Sequence, residues 1–168
     1  MRNALGIYKI YPDIENLKYA TEGSACFDIC AHLEPGREIT YYSPDNRECS
    51  KPPHHGIMEI YPGQRYLIPT GLIFDIPNGH SLRLHPRSGL SLKKGLILSN
   101  CEGVIDSDYV NELFIILTNV SRVAENIKHG DKICQCEIIK DEIYKFDYLK
   151  TSPKEKTNRS GGFGSTGN

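Results

Sequence analysis

Gly103-Val-Ile-Asp-Ser-Asp-Tyr109 joins a short apolar run to two acids that flank a serine, and it ends in an aromatic residue. Asp and Ser side chains hydrogen-bond nearby backbone groups and favour turns, so the pattern predicts a strand that enters a tight hairpin. Tyr109 is then expected on the return strand, beside carboxylates on a rigid β support. Two interpretations follow: a general base next to an aromatic stacking surface, or an ordinary polar turn with a packing tyrosine.

The segment before this stretch, Pro86-Arg-Ser-Gly-Leu-Ser-Leu-Lys-Lys-Gly95, is the best helical candidate, with two turns from Ser88 that end at Gly95. Arg87, Ser88 and Gly89 place a guanidinium, a hydroxyl and free backbone N–H groups together. Such helix starts bind anions such as phosphate. The alternative is that Ser88 is only an N-cap.

The segments after the stretch predict further strands. Residues 112–118 are almost continuously apolar, which favours a strand buried on both faces, against another subunit or deep in a sandwich. Residues 130–139 predict a turn and a strand that carries one amide, Gln135, in a mostly apolar centre. Residues 140–149 alternate partly and predict a last strand.

Short strands are also expected before the helix. Residues 5–10 and 22–31 predict the first two, and the second contains Asp28, which either faces solvent or faces a site that holds cations. Between residues 57 and 85, apolar runs are repeatedly interrupted by Gly, Pro or Asn. Many short strands of this kind indicate an all-β sandwich, barrel or jelly roll.

Residues 34–58 differ from the rest because they are polar, rich in turn residues and short of apolar periodicity. We expect an irregular connection, and a connection this long in a compact domain is uncommon and often functional or mobile. Cys49, His54 and His55 lie here, but they lack the second, well-spaced ligand pair of a zinc motif.

The composition changes again at Thr151, where core periodicity ends. We therefore expect a β-domain over residues 1–150, including the insert, and a flexible arm over residues 151–168. Arg159 and the run Gly161-Gly-Phe-Gly-Ser-Thr-Gly167 offer a cation, hydroxyls and backbone N–H groups for a phosphate, and Phe163 for stacking on a base. The run lacks the Lys of a Walker loop.

Composition excludes several classes of function. The chain has 168 residues, enough for one domain, and a net charge of -1, which predicts no general attraction to nucleic acid or to a membrane surface. Six cysteines show no C-x2-C spacing and are expected to be buried thiols. No apolar run approaches a membrane span, and the first residues lack a signal-peptide core, so we expect a location in the cytoplasm, the nucleus or a host-cell interior.

Five segments in one order resemble the trimeric dUTP pyrophosphatase (dUTPase) family over almost the whole chain. They are residues 25–31, 86–95, 103–109 with Asn100 just before, 130–138 and 161–167. The resemblance implies an all-β fold, a distorted jelly-roll or β-barrel subunit with one short helix and a glycine-rich C-terminal arm. It also implies a homotrimer whose active sites are shared between subunits, with the arm closing a site on a neighbour.

The same resemblance implies hydrolysis of dUTP to dUMP and pyrophosphate, with Mg2+ as cofactor. Asp106 resembles the carboxylate that orients and deprotonates the attacking water. Tyr109 resembles the residue that stacks under deoxyribose and leaves no room for a 2′-hydroxyl. Asn100 and the backbone near Gly103 and Ile105 resemble the pocket that reads uracil.

The other implied contacts concern the phosphates, the arm and the metal. The residues that resemble the family's phosphate contacts are Arg87, Ser88, Gly89 and Gln135. In the arm, the matching residues around uracil and the outer phosphates are Arg159, Phe163, Gly164, Ser165 and Thr166. Asp28 resembles the acid that approaches the metal through water.

Three features depart from the family pattern. The insert 34–58 is longer than the usual connection, and Tyr109-Val-Asn-Glu112 stands where Arg-Gly usually follows the tyrosine. In the arm, Ser160 alone separates Arg159 from the glycine run, so either Arg159 or Asn158 takes the phosphate position. Asp108 has no assigned role.

Three alternatives remain from the sequence. The first is a dCTP deaminase on the same fold with Glu112 as its catalytic acid, although that family lacks the glycine-rich arm. The second is a pyrophosphatase for another deoxynucleotide. The third is a dUTPase-like binding protein that regulates a partner through residues 34–58.

Overall fold

The computed structural model describes residues 4–157, which form thirteen strands and one helix. The chain-order elements are β1 (Gly6–Lys9), β2 (Phe27–Cys30), β3 (Ile39–Tyr42), β4 (Glu48–Lys51), β5 (Ile57–Ile60), β6 (Arg65–Pro69), β7 (Leu72–Asp75), β8 (His80–His85), α1 (Ser88–Lys94), β9 (Leu96–Leu98), β10 (Gly103–Ile105), β11 (Phe114–Asn119), β12 (Glu125–Lys128) and β13 (Lys132–Lys140).

Two larger antiparallel sheets contribute to one core. The four-stranded sheet has the order β10-β8-β13-β2, and the five-stranded sheet has the order β4-β3-β6-β11-β9; β1-β7 and β12-β5 form two further pairs. Ile29 and Leu82 of the first sheet and Ile68 and Ile115 of the second are fully buried in the same apolar cluster. The prediction of an all-β domain with a short helix is confirmed.

The predicted helix is also confirmed, although its cap differs. Arg87, not Ser88, is the N-cap residue, in an extended conformation with no side-chain cap hydrogen bond. Gly95 ends the helix in the left-handed region at φ 62°, and a Cβ there would lie 2.9 Å from the Ser121 Cβ. Both the backbone conformation and the close approach require glycine.

One strand prediction next to the opening stretch is wrong. Tyr109 does not enter a return strand, because the next strand, β11, begins at Phe114 and pairs with β6 and β9 rather than with β10. Strand β11 is open on one face in the single chain, so its predicted burial on both faces would require contact with another subunit and stays a prediction. Ile115 and Leu117 face the core, whereas Ile116 is 37% exposed, as period-two alternation requires for a strand with one open face.

The insert is ordered, contrary to the expected irregular connection. Its strands β3 and β4 form a hairpin that extends the five-stranded sheet beyond β6. The rings of Tyr41 and Tyr66 stack with centroids 4.7 Å apart, which joins the hairpin to the core. Tyrosines of high β propensity therefore supply the packing that a search for aliphatic periodicity does not find.

The chain end and β12 also differ from the sequence-based expectation. Of the predicted last strand, only Lys140 belongs to β13, and residues 141–149 form no strand. Their apolar side chains are exposed, with Ile143 and Tyr148 each 90% accessible. Strand β12 has no alternating apolar pattern in the sequence, because Ile127 is its one buried residue. Within residues 4–157, no helix has the length and apolarity to span a membrane.

Candidate active site

The 103–109 stretch forms a strand and a tight turn. Gly103 pairs with Leu84 across β10 and β8, and a Cβ on Gly103 would lie 2.8 Å from the Leu84 Cδ1. The strand ends at Ile105, and the Tyr109 N–H donates to the Asp106 carbonyl at 3.1 Å. Glycine thus lets the backbone pack closely on β8, and the turn that the Asp-Ser-Asp pattern predicts follows at once.

The turn holds Tyr109 in place and leaves the carboxylate of Asp106 free. The Tyr109 hydroxyl donates to the Glu112 carbonyl at 2.8 Å, which holds a ring that is 37% exposed. Asp106 is exposed, and its carboxylate has no hydrogen-bond or ion-pair partner among residues 4–157. On the other side of β10, the exposed Asn100 precedes Cys101, which adopts a left-handed φ of 63°. Backbone polar groups and a free carboxylate therefore surround β10.

A second group of predicted residues gathers around β2 and β13. Asp28 Oδ1 lies 3.0 Å from Arg87 Nε, and Asp28 Oδ2 lies 2.7 Å from Lys132 Nζ. Arg87 also donates from Nη1 to the Lys132 carbonyl at 2.9 Å. One half-buried carboxylate thus orients two cations, an arrangement that suits binding of a polyanion.

The strand register explains this assembly. Gln135 of β13 lies opposite Asp28 on one side and opposite His85 on the other. Since Pro86 and Arg87 follow directly after β8, they leave the sheet beside Gln135, whose Nε2 donates to the Pro86 carbonyl at 3.1 Å.

Ser88 and Gly89 begin α1 next to this group. Both residues are exposed. A Cβ on Gly89 would meet nothing within 4 Å, so its backbone is open to a ligand.

The flanking cysteines are core residues. Cys134 and Cys136, on either side of Gln135, are fully buried. Burial raises the pKa of the Cys136 thiol to about 12 and raises the pKa of Cys134. Both thiols therefore remain protonated at neutral pH and do not act as nucleophiles.

Within one subunit, Asp106 and Tyr109 lie far from the Asp28 group, which consists of Asp28, Arg87, Lys132 and Gln135. Strands β10 and β2 are the opposite edges of the four-stranded sheet, and Asp106 lies beyond the far end of β10 from the row that contains Asp28. From strand spacing and rise, the two carboxylates are separated by roughly 15–20 Å. The arm residues Asn158, Arg159, Phe163, Gly164, Ser165 and Thr166 lie outside the described residues.

The sequence interpretation missed two charged partners. Lys132 carries no motif signal beyond its place at the start of a strand, yet it completes the Asp28 group. Arg37, from the insert, binds Glu112 through Nη1 at 3.1 Å and Nη2 at 2.6 Å, and this hydrogen bonding raises the pKa of the guanidinium. Glu112 Oε1 also accepts from the Gly71 N–H at 2.8 Å, so its carboxylate is fully engaged.

Known proteins have sequences similar to that of this chain. The dUTPase family model matches residues 56–167. The deoxyuridine 5'-triphosphate nucleotidohydrolase of Finegoldia magna is 38% identical over 151 residues, which cover 89% of this chain and 90% of that protein. The corresponding protein of Dinoroseobacter shibae is 40% identical over 150 residues, which cover 89% of this chain and 85% of that protein.

Solved structures share the fold. The dUTPase of Staphylococcus bacteriophage 80alpha, solved with dUpNHpp, matches with a TM-score of 0.77 at 18% identity and covers 99% of both chains. The dUTPase of phage phi11 of S. aureus, described as coordinating a structural Mg(II) ion, matches with a TM-score of 0.70 at 17% identity and covers 90% of this chain and all of that one. The sequence relationships go further than the fold: the chain belongs to the dUTPase family.

Proposed function

We propose that this protein hydrolyses dUTP to dUMP and pyrophosphate. The observation that carries the proposal is the 103–109 turn of a dUTPase-family chain, where a free carboxylate, Asp106, lies three residues from an anchored aromatic ring, Tyr109. A base needs an unengaged lone pair, and a stacking surface needs a fixed ring; the turn provides both.

In the proposed reaction, Asp106 accepts a proton from a water molecule as that water attacks the α-phosphorus. A bond forms between the water oxygen and the α-phosphorus, and the bond from the α-phosphorus to the bridging oxygen breaks. Pyrophosphate then leaves with that oxygen. Tyr109 packs under the deoxyribose, and the backbone of β10, with Gly103 and Ile105, together with Asn100, contacts the uracil edge.

The phosphates are assigned to the Asp28 group and the helix start. Arg87, held by Asp28, supplies a guanidinium, and Ser88 and the Gly89 N–H supply neutral donors. Gln135 lies beside them on β13. Positioned charges of this kind stabilise a transferring phosphoryl group without reorganisation.

The arm is assigned to closure of the site, with the body in residues 1–150 and the arm in residues 151–168. Phe163 covers the uracil, and the outer phosphates are bound by Arg159 or Asn158 with Gly164, Ser165 and Thr166.

Mg2+ is proposed as the cofactor, bound mainly by the triphosphate. Asp28 is the acid assigned to the ion, but both of its oxygens already contact cations, Arg87 and Lys132. The carboxylate therefore suits contact through water rather than direct ligation, and Mg2+ commonly retains several waters. When bound, the ion would neutralise part of the triphosphate charge.

A homotrimer with shared sites accounts for the separation of the two groups. Asp106 of one subunit would meet the Asp28 group of another subunit. Within one chain, roughly 15–20 Å separates Asp106 from Asp28. Exposed apolar side chains supply surface for such contacts, among them Ile116 on the open face of β11 and Phe146, 87% exposed, near the chain end.

The deaminase alternative loses its candidate acid. Glu112 binds both the Arg37 guanidinium and the Gly71 N–H, and its side chain is 12% exposed. A carboxylate engaged in this way does not face a substrate. The backbone carbonyl of Glu112 accepts the hydrogen bond from the Tyr109 hydroxyl, so Glu112 positions the tyrosine.

A nucleotide panel tests the proposal. With Mg2+ present, we expect pyrophosphate release from dUTP, with kcat/KM on the order of 100-fold or more above the values for dTTP, dCTP and UTP. The same samples are assayed for ammonia. Preference for another nucleotide, or ammonia release from dCTP, would overturn the assignment.

A further inference from the structure

Three metal-ligating side chains, none of them assigned to dUTP, converge beside the Asp28 group. Asp13 follows β1, His32 follows β2 and His129 lies in the turn before β13, so three distant segments contribute one residue each. One ligand atom from each lies within 4.8 Å of the other two. Tetrahedral ligands at 2.0–2.1 Å from Zn2+ lie about 3.3 Å apart, so the atoms need to move by only about an ångström.

The two histidines are held from behind, as metal-ligating histidines usually are. His32 is buried, 3% exposed; its Nε2 lies 2.6 Å from Glu34 Oε1, and its ring stacks on Tyr11 with centroids 4.3 Å apart. A carboxylate that holds one ring nitrogen leaves the other nitrogen to bind an ion.

His129 shows the same arrangement with a backbone partner. Its Nδ1 lies 3.2 Å from the Leu33 N and 3.3 Å from the Leu33 O, so it can either accept or donate a hydrogen bond there. Its Nε2 lies 3.9 Å from Asp13 Oδ2. If Nδ1–H donates to the Leu33 carbonyl, the lone pair of Nε2 faces Asp13.

The cluster opens into a cavity. A volume of about 330 Å³ is lined by Asp13, His32 and His129, and it extends to Asp28 and Lys132. It provides an entry path for an ion and room for a water ligand.

We propose that Asp13, His32 and His129 bind one Zn2+ ion per subunit, which links the segment after β1 to the ends of β2 and β13. Two imidazoles and one carboxylate suit Zn2+, whereas Mg2+ prefers oxygen ligands. A water molecule completes the tetrahedron. The site is separate from the Mg2+ proposed on the triphosphate, and the inference does not depend on the proposed function.

Calorimetric titration of the chelator-treated full chain with ZnCl2, without nucleotide, tests the site. We expect one ion per subunit and, at a free Zn2+ concentration about 100 times Kd, a rise in Tm of about 5–10 °C. His129→Gln and Asp13→Asn, both at more exposed positions than His32, should each weaken binding by about tenfold or more.

Two control variants separate this site from other ligands. His54→Gln removes an exposed histidine that contacts His55, and Cys30→Ser removes a thiol that lines the same cavity. Both should bind Zn2+ like the wild type. The proposal would be overturned if His129→Gln and Asp13→Asn bound Zn2+ like the wild type, or if either control lost binding. It would also be overturned if an equimolar amount of Mg2+ displaced the bound Zn2+.

Discussion

Asp106 and Asp28 belong to the same four-stranded sheet, yet their carboxylates are held in opposite ways. Asp106, just beyond β10, is exposed and has no side-chain partner among residues 4–157. Asp28, in β2 at the other edge, is half-buried, and its two oxygens contact Arg87 at 3.0 Å and Lys132 at 2.7 Å. One carboxylate is free to accept a proton, and the other is committed to holding cations.

The difference follows from the neighbouring strands. Asp28 lies opposite Gln135 of β13, and the chain that leaves β8 brings Arg87 to the same end of the sheet. Asp106 instead lies in the turn after β10, beyond Ile105, the last residue that pairs with β8. Both β2 and β10 are edge strands, so the carboxylate within a paired strand has partners, whereas the carboxylate in the turn beyond a strand is exposed.

Replacing the free carboxylate should give the largest effect. We expect Asp106→Asn to bind dUTP normally and to lose about 100-fold to 10,000-fold in kcat, because the amide cannot accept the proton of the attacking water. Single-turnover kinetics measure the loss in the chemical step, and a nucleotide-binding assay measures the affinity for dUTP. Asp108→Asn is the control, since Asp108 is also exposed and only two residues away. Equal losses in both variants would remove Asp106 as the base.

Mixing two inactive variants tests whether the two groups meet across subunits. Asp106→Asn and Arg87→Gln should each be inactive alone. If each site combines Asp106 of one subunit with Arg87 of another, random reassembly of equal amounts restores about a quarter of the wild-type sites. Activity is measured after joint unfolding and refolding. Failure of the refolded mixture to exceed either parent would place both residues in one subunit and break the comparison.

Local chemistry made part of this structure predictable. The helix end at Gly95 and the turn after Ile105 depend on residues adjacent in sequence, with Gly at a positive φ and an Asp-Ser-Asp turn. Both were therefore found from the sequence. The family resemblance and the all-β class also followed from local segments that recur in order.

Long-range pairing made other parts unpredictable. The contact of Lys132 with Asp28 depends on strand register, which no local pattern specifies. The cluster of Asp13, His32 and His129 joins residues that are far apart in the chain. Residues 141–149 show the converse case: their partly alternating pattern resembles a strand, but a strand requires a neighbour, and residues 4–157 supply none.

Glu112 sharpens the comparison as a carboxylate that is fully paired but lies outside the Asp28 group. Glu112→Gln should lower the free energy of unfolding by about 1–3 kcal/mol, because the half-buried Arg37 guanidinium loses its charged partner. Urea unfolding measures the change. Glu125→Gln is the matched control: Glu125 lies 3.9 Å from Lys94, and loss of this weaker pair should cost less than about 0.5 kcal/mol.

The kinetics of Glu112→Gln then separate structure from chemistry. Tyr109 is anchored to the Glu112 carbonyl, which the substitution leaves in place. We therefore expect kcat for dUTP to change by about threefold or less, far below the effect at Asp106. A loss of turnover at unchanged stability would contradict this ranking, because it would give a fully paired carboxylate a chemical role and make pairing a poor guide to function in this protein.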